Sequence, residues 1–170
     1  MKQLFISVFL LLVGAGAFAQ KSPVDRIFDK YSGQEGYTTV HISSFMFNLL
    51  SSIDTDDPEY EDFKKASSGI KSLRILTQES NDAASFASEL LELLPRNEYQ
   101  EMMKVKDESE EVLFLAKEEG GKITEFLLIV SGDDDVLIAI TGDIDMETLS
   151  SIAAGMDMPG MENLEELDDQ

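Results

Sequence analysis

The chain has no cysteine, no tryptophan and one histidine, His41, and only 13 Lys and Arg residues stand against 34 Asp and Glu residues in 170. Each shortage removes a class of chemistry. Without cysteine there is no disulfide framework, no thiolate nucleophile and no sulfur ligand for a metal. One histidine cannot complete a zinc shell of three or four nitrogen or sulfur ligands. No G-x-S-x-G elbow accompanies His41, so a Ser-His-Asp assembly has no support, and His41 reads as a partly exposed strand residue. Phosphate-cradling glycine loops are also missing, and Gly120-Gly121 reads as a hairpin turn. With so many acids no carboxylate pair stands out as an acid/base couple. The expectation is a protein that is not an enzyme, with no catalytic, cofactor-binding or metal-binding residue to nominate and no cofactor.

The scarcity of positive charge excludes a further class. Nucleic-acid affinity comes mainly from Lys and Arg neutralising phosphates, and the chain has a net charge of −21 with no basic cluster. Such a surface attracts cationic peptides, basic proteins or divalent ions, and it keeps a domain soluble. Calcium is the one ion that acids alone can hold. Three acidic segments are available: Asp54-Thr55-Asp56-Asp57-Pro58-Glu59, Asp133-Asp134-Asp135 and Asp143-Ile144-Asp145-Met146-Glu147. The first puts Pro58 at a ligand position and Glu59 where the loop needs glycine. The second reads as a solvated hairpin tip, and the third uses Asp145 better as a helix cap.

Long apolar runs are confined to the start. Met1-Lys2-Gln3 is a short basic opening, Leu4–Val13 is almost unbroken apolar chain, and Ala17-Phe18-Ala19 precedes Gln20. That is the order of a secretory signal peptide with an A-x-A site, so cleavage is expected after Ala19. The run is about half of the roughly 20 residues that span a bilayer. No cysteine follows the site, so no lipid anchor and no stable membrane attachment are expected after cleavage. Lys2 leaves with the leader, which takes 13 basic residues to 12 against 34 acids and the net charge to −22. The expected location is periplasmic or secreted.

The remainder is expected to form a single domain over residues 20–156. Ser22-Pro23 starts a helix whose Val24, Ile27, Phe28 and Tyr31 form one stripe. Tyr37–Ser43 reads as a strand, and Phe45–Ile53 as a short helix with Phe45, Met46, Leu49, Leu50 and Ile53 inward. A helix after Pro58, with Tyr60, Phe63 and Ala66 inward, ends at Gly69, and Ile70–Thr77 is a second strand. Ser80 or Asn81 caps a helix over Asp82–Leu94, closed by Pro95. Beyond residue 100 the period becomes strand-like, with strands over Met102–Lys106, Glu111–Lys117, Ile123–Val130 and Val136–Thr141. Short turns between them make an antiparallel meander, in which the two continuous apolar runs are central. Asp145 caps a final helix with Leu149, Ile152, Ala153 and Met156 inward. Residues 157–170 carry six acids and no base, and an acidic disordered tail is expected. The fold class is α+β, with helices packed on a largely antiparallel sheet, a C-terminal β-meander and a final helix.

Two parts of this pattern carry a resemblance. One is Val24-x-x-Ile27-Phe28-x-x-Tyr31 followed by the Tyr37–Ser43 strand. The other is Glu125-Phe126-Leu127-Leu128-Ile129-Val130 followed by Ile138-Ala139-Ile140-Thr141-Gly142-Asp143-Ile144. Together the chain resembles the bacterial domain of unknown function 4252 family of small exported proteins, over roughly residues 20–156. The resemblance implies an exported envelope domain and brings no catalytic residues with it. The function expected is a non-enzymatic cell-envelope module that binds another envelope protein through an exposed sheet edge, with Met102–Lys106 as the foremost edge. Lysines and acids near that strand equally serve as protection against aggregation. A small-molecule carrier and a calcium-binding exported protein are the alternatives. The sequence leaves the partner, the oligomeric state and the strand order open.

Overall fold

A serine hydroxyl opens the first helix. Ser22 Oγ accepts the Asp25 N–H at 3.0 Å, and Pro23 fills the first helical position, where no N–H is needed. The resulting helix α1, Pro23–Tyr31, buries the expected stripe of Val24, Ile27, Phe28 and Tyr31. The computed structural model describes residues 21–52, 58–79 and 83–144. After α1 come β1 (Tyr37–Ser43), α2 (Ser44–Ser51), α3 (Pro58–Ser67) and β2 (Ile70–Gln78). Then follow α4 (Phe86–Leu93), β3 (Tyr99–Lys106), β4 (Glu111–Glu119), β5 (Lys122–Ser131) and β6 (Val136–Ile144).

The six strands form one sheet in the order β1-β2-β6-β5-β4-β3, antiparallel at every pairing. The meander β3-β4-β5-β6 is as the turn signals predict. The chain leaves β2, crosses by way of α4 to the far edge, and returns strand by strand until β6 pairs with β2. The two continuous apolar runs are the central pair, β5 and β6. They bury side chains on both faces: Leu127, Ile129, Leu137 and Ala139 on one, Leu128, Ile138 and Ile140 on the other. That is why these strands lack the alternation of a half-exposed strand.

α1 and α4 cover the first face. Phe86 at the start of α4 is fully buried, which contributes about 2–3 kcal/mol. Its ring lies 5.8 Å from Tyr31, which in turn sits 4.8 Å from Tyr37 of β1. Glu89 ties the two helices together by accepting from Tyr31 Oη at 2.7 Å and from Lys30 Nζ. On the second face α2 lies against β1 and β2, with Phe47 buried among Ile70, Phe114 and Ile140.

Two expectations about the helices need correction. In α2, Phe47 is the buried residue. Phe45, Met46 and Leu49 are exposed at 74%, 45% and 52%, and Leu50 is half-buried. In SFMFNLLS almost every position is apolar, so no polar face tells the helix which side to bury. The second correction concerns α4, which begins at Phe86, capped by Ser85, and not at Asp82. Ser80, Asn81 and Asp82 lie outside the described residues, as do Ile53, the side chains of Phe63 and Ala66, the final helix expected from Asp145, and the tail. No helix among the described residues is long and apolar enough to cross a membrane.

Candidate functional site

Strand register assembles a polar row that no single segment announces. Ser43 faces Ser72, Ser72 faces Thr141, Thr141 faces Glu125, Glu125 faces Lys117 and Lys117 faces Tyr99. One residue comes from each of the six strands, on the face that carries α1, where the apolar core ends. Ser72 and Thr141 share a hydroxyl hydrogen bond of 2.8 Å. Tyr99 Oη donates to Glu125 Oε2 at 2.7 Å, and burial, then this carboxylate, pushes the phenol well above its usual range. Lys117 pairs with Glu98 at 2.9 Å and Glu119 at 3.3 Å, and Glu98 foremost raises its pKa.

Above the row lies an open cleft of about 390 Å³, lined by Asp25, Lys71, Arg74, Lys117, Glu125 and Thr141 among others. Arg74 donates to Asp25 Oδ1 at 2.7 Å and stacks its guanidinium 4.5 Å from the Phe28 ring centroid. Burial pushes the Asp25 carboxyl upward, but hydrogen bonds from Arg74 and then Ser22 outweigh it and leave the pKa lowered. The arrangement pairs charge only in part: Arg74 with Asp25, and Lys117 with Glu98 and Glu119, while the neutral Tyr99 phenol that donates to Glu125 cancels no charge. It holds α1 on the sheet. A larger cleft of about 840 Å³ at the same end is lined by Ser44, Asn48, Lys71, Glu118, Lys122 and Asp143 among others. Polar side chains are prominent around both openings.

The individual residues singled out in the sequence fall apart in space. His41 is exposed on β1, facing Arg74 across the β1–β2 pair. Asp135 overturns the reading of a solvated hairpin tip. It is fully buried, and its Oδ2 accepts from Ser85 Oγ at 2.7 Å and from the Ala87 N–H at 2.8 Å. Asp54–Asp57, Asp145, Met146 and Glu147 lie outside the described residues. Among the described residues no group of His, Cys, Asp and Glu is placed to hold a metal.

The two sheet edges differ in kind. β3, the edge expected from sequence, carries a bulge between Glu101 and Met103. Its Lys104 and Lys106 both pair with Glu111, at 2.9 and 2.8 Å. A bulge and lysines are the usual guards against edge-to-edge pairing. β1 at the opposite edge has neither. Its seven residues pair with β2 without a register shift, and Val40 is 41% exposed. Met102 and Val105 on β3 are exposed as well, so the contrast between the edges lies in the bulge and the lysines. Directly after it α2 turns Phe45, Met46 and Leu49 to solvent. The sequence carries a signal for this surface that periodicity does not detect. Residues 36–53 contain no Asp, Glu, Lys or Arg, in a chain that is 28% charged.

A six-stranded antiparallel sheet with helices on both faces, two unlike edges and a cleft lined by ion pairs defines an α+β domain built around a sheet. The profile described as Domain of unknown function (DUF4252) matches residues 31–152, and the chain belongs to that family. The match begins at Tyr31, so the Val24–Phe28 stripe lies ahead of it. No curated protein and no solved structure matches the chain.

Proposed function

We propose that the chain is an exported, non-enzymatic protein-binding module of the cell envelope, cleaved after Ala19 and working in the periplasm or outside the cell. The observation that carries the binding reading is the β1 edge with the outer face of α2: an unguarded strand beside three exposed large apolar side chains, free of formal charge. A strand edge offers main-chain hydrogen bonds to an incoming segment, and neighbouring apolar groups supply selectivity. An exposed apolar cluster ringed by a strongly acidic surface is a common mark of an interaction site. The Arg74–Asp25 ion pair that joins α1 to the sheet beside the cleft gives it a supporting part in this reading.

Cross-linked affinity capture from the native envelope, with the captured proteins identified by mass spectrometry, tests the proposal. One dominant partner, lost in Val40→Lys and retained in Val105→Lys, is the expected result. An empty capture together with protein found only in the cytosol sinks it. Amino-terminal sequencing of the isolated protein checks export separately, with Gln20 as the expected first residue.

A further inference from the structure

Resting on the binding-module reading, we propose that the partner this surface fits is a second copy of the chain, joined β1 to β1 in antiparallel fashion into one twelve-stranded sheet. Charge makes the argument. Two cleaved molecules, each of net charge −22, repel each other, and most approaches set acids against acids. Residues 36–53 are the place where two copies meet without that cost. A strongly basic partner, by contrast, gains little there: residues 36–53 contribute no carboxylate, and Glu79, which accepts from Thr38 Oγ1, stands just past the neighbouring end of β2.

The strand is also self-complementary. A two-fold axis through Val40 sets Val40 against Val40 of the second copy, Thr38 against Ile42, Thr39 against His41 and Tyr37 against Ser43. These pairs contain no acid, and the Val40 and Thr38–Ile42 pairs match β-branched side chains, which favour cross-strand contact. Tyr37 packs with the first-face core and Ile42 with the second-face core, so alternation along β1 is already fixed. Pairing with i and j summing to an even number keeps each side chain on its own face in the joined sheet. Seven residues span about 23 Å, a full-length edge for an ordinary sheet. The exposed Phe45, Met46 and Leu49 follow immediately on Ser43, at the end of the strand where the second copy's β1 begins. The guarded β3 edge limits the assembly to two copies, because a closed two-fold contact leaves only bulged, lysine-bearing edges outside.

Sedimentation equilibrium of the mature chain, residues 20–170, tests this, read at low and high salt. A monomer–dimer equilibrium is expected, and it should tighten as salt screens the repulsion between the two acidic bodies. The dissociation constant should rise at least tenfold in Val40→Lys and in Phe45→Ser combined with Leu49→Ser, and stay unchanged in Val105→Lys. Circular dichroism and urea midpoints verify that each variant is folded. Should Val40→Lys unfold the protein, the Phe45 and Leu49 substitutions, at exposed side chains, decide the question. A chain that stays monomeric throughout, a dimer that survives both β1 and α2 variants, or a dimer weakened by salt overturns the proposal. If the monomer still captures one envelope protein through Val40, self-pairing falls while the binding-module reading stands.

Discussion

Asp135 and Ser85 meet at 2.7 Å although fifty positions separate them, and the contact fastens the β5–β6 hairpin to the start of α4. The same carboxylate accepts the Ala87 N–H, and the Asp135 main-chain oxygen accepts the Gln78 N–H at 2.9 Å. A buried acid thus closes a junction of β2, α4 and β6. Asp135→Ala leaves buried donors without an acceptor, and a loss of about 2–3 kcal/mol is expected. Asp135→Asn retains an acceptor and should lose less. Urea unfolding of the three proteins checks the order.

Phe45 and Phe47 are two residues apart and should behave oppositely. Phe47 is 7% exposed and Phe45 is 74% exposed. Phe47→Ala opens a cavity against Ile140 and Ile70 and should cost about 3–5 kcal/mol. Phe45→Ser should stay within about 0.5 kcal/mol of the parent. Equal losses in chemical denaturation would contradict the orientation of α2.

Gly69 and Gly142 meet at one end of the β2–β6 pair. Asp143 N–H donates to Gly69 O at 2.8 Å, and a Cβ on Gly142 would lie 2.2 Å from that same oxygen. Backbone atoms cannot swing aside as a flexible side chain does. Gly142→Ala should therefore destabilise by about 3 kcal/mol. Gly33→Ala, at φ +76° with open space around it, should cost only about 1 kcal/mol. Gly142 itself stands at φ +156°, so thermal melts of the two variants compare a dihedral penalty alone with a dihedral penalty plus crowding.

The Asp25–Arg74 pair should leave a trace in acid. Because the folded pKa of Asp25 lies below its ordinary 3.8, its contribution is present above that value and is lost as pH falls through the folded pKa. Asp25 is 44% exposed in this pair, so solvent screening limits the effect to about 0.5–1 kcal/mol. Urea midpoints measured from neutral pH down to strong acid should fall less steeply in Asp25→Asn than in the parent. Parallel curves would remove Asp25 from the account.

What the sequence made legible was mostly local. Ser22-Pro23 and the Val24–Tyr31 stripe define α1 because a cap and a 3.6-residue period lie within one segment. The bounds of β1 are those expected, since its β-branched run stops at a pair of serines. The central place of β5 and β6 was readable in their unbroken apolar runs. Features that depend on distant partners were not legible. Asp135 looks like part of a solvated tip until α4 is placed beside it. The row from Ser43 to Tyr99 exists only once the strand order and register are known. The exposed face of α2 was hidden for another reason: a nearly all-apolar helix has no internal contrast by which to be oriented.

The pairing of β2 with β6 has a consequence for how the chain is made. Thr77 finds its neighbour in Val136, with α4 and the first three strands of the meander between them. Strands β1 and β2 alone form a two-stranded pair, which is marginal in water. Long-range pairing is slow, because the intervening loop must close before any contact rewards it. As the chain folds, its first two strands wait for the last one, with the charge-free stretch from residue 36 to 53 uncovered meanwhile. Such an interval invites aggregation. The first strand synthesised is among the last to be secured, and it carries the part of the chain most in need of protection.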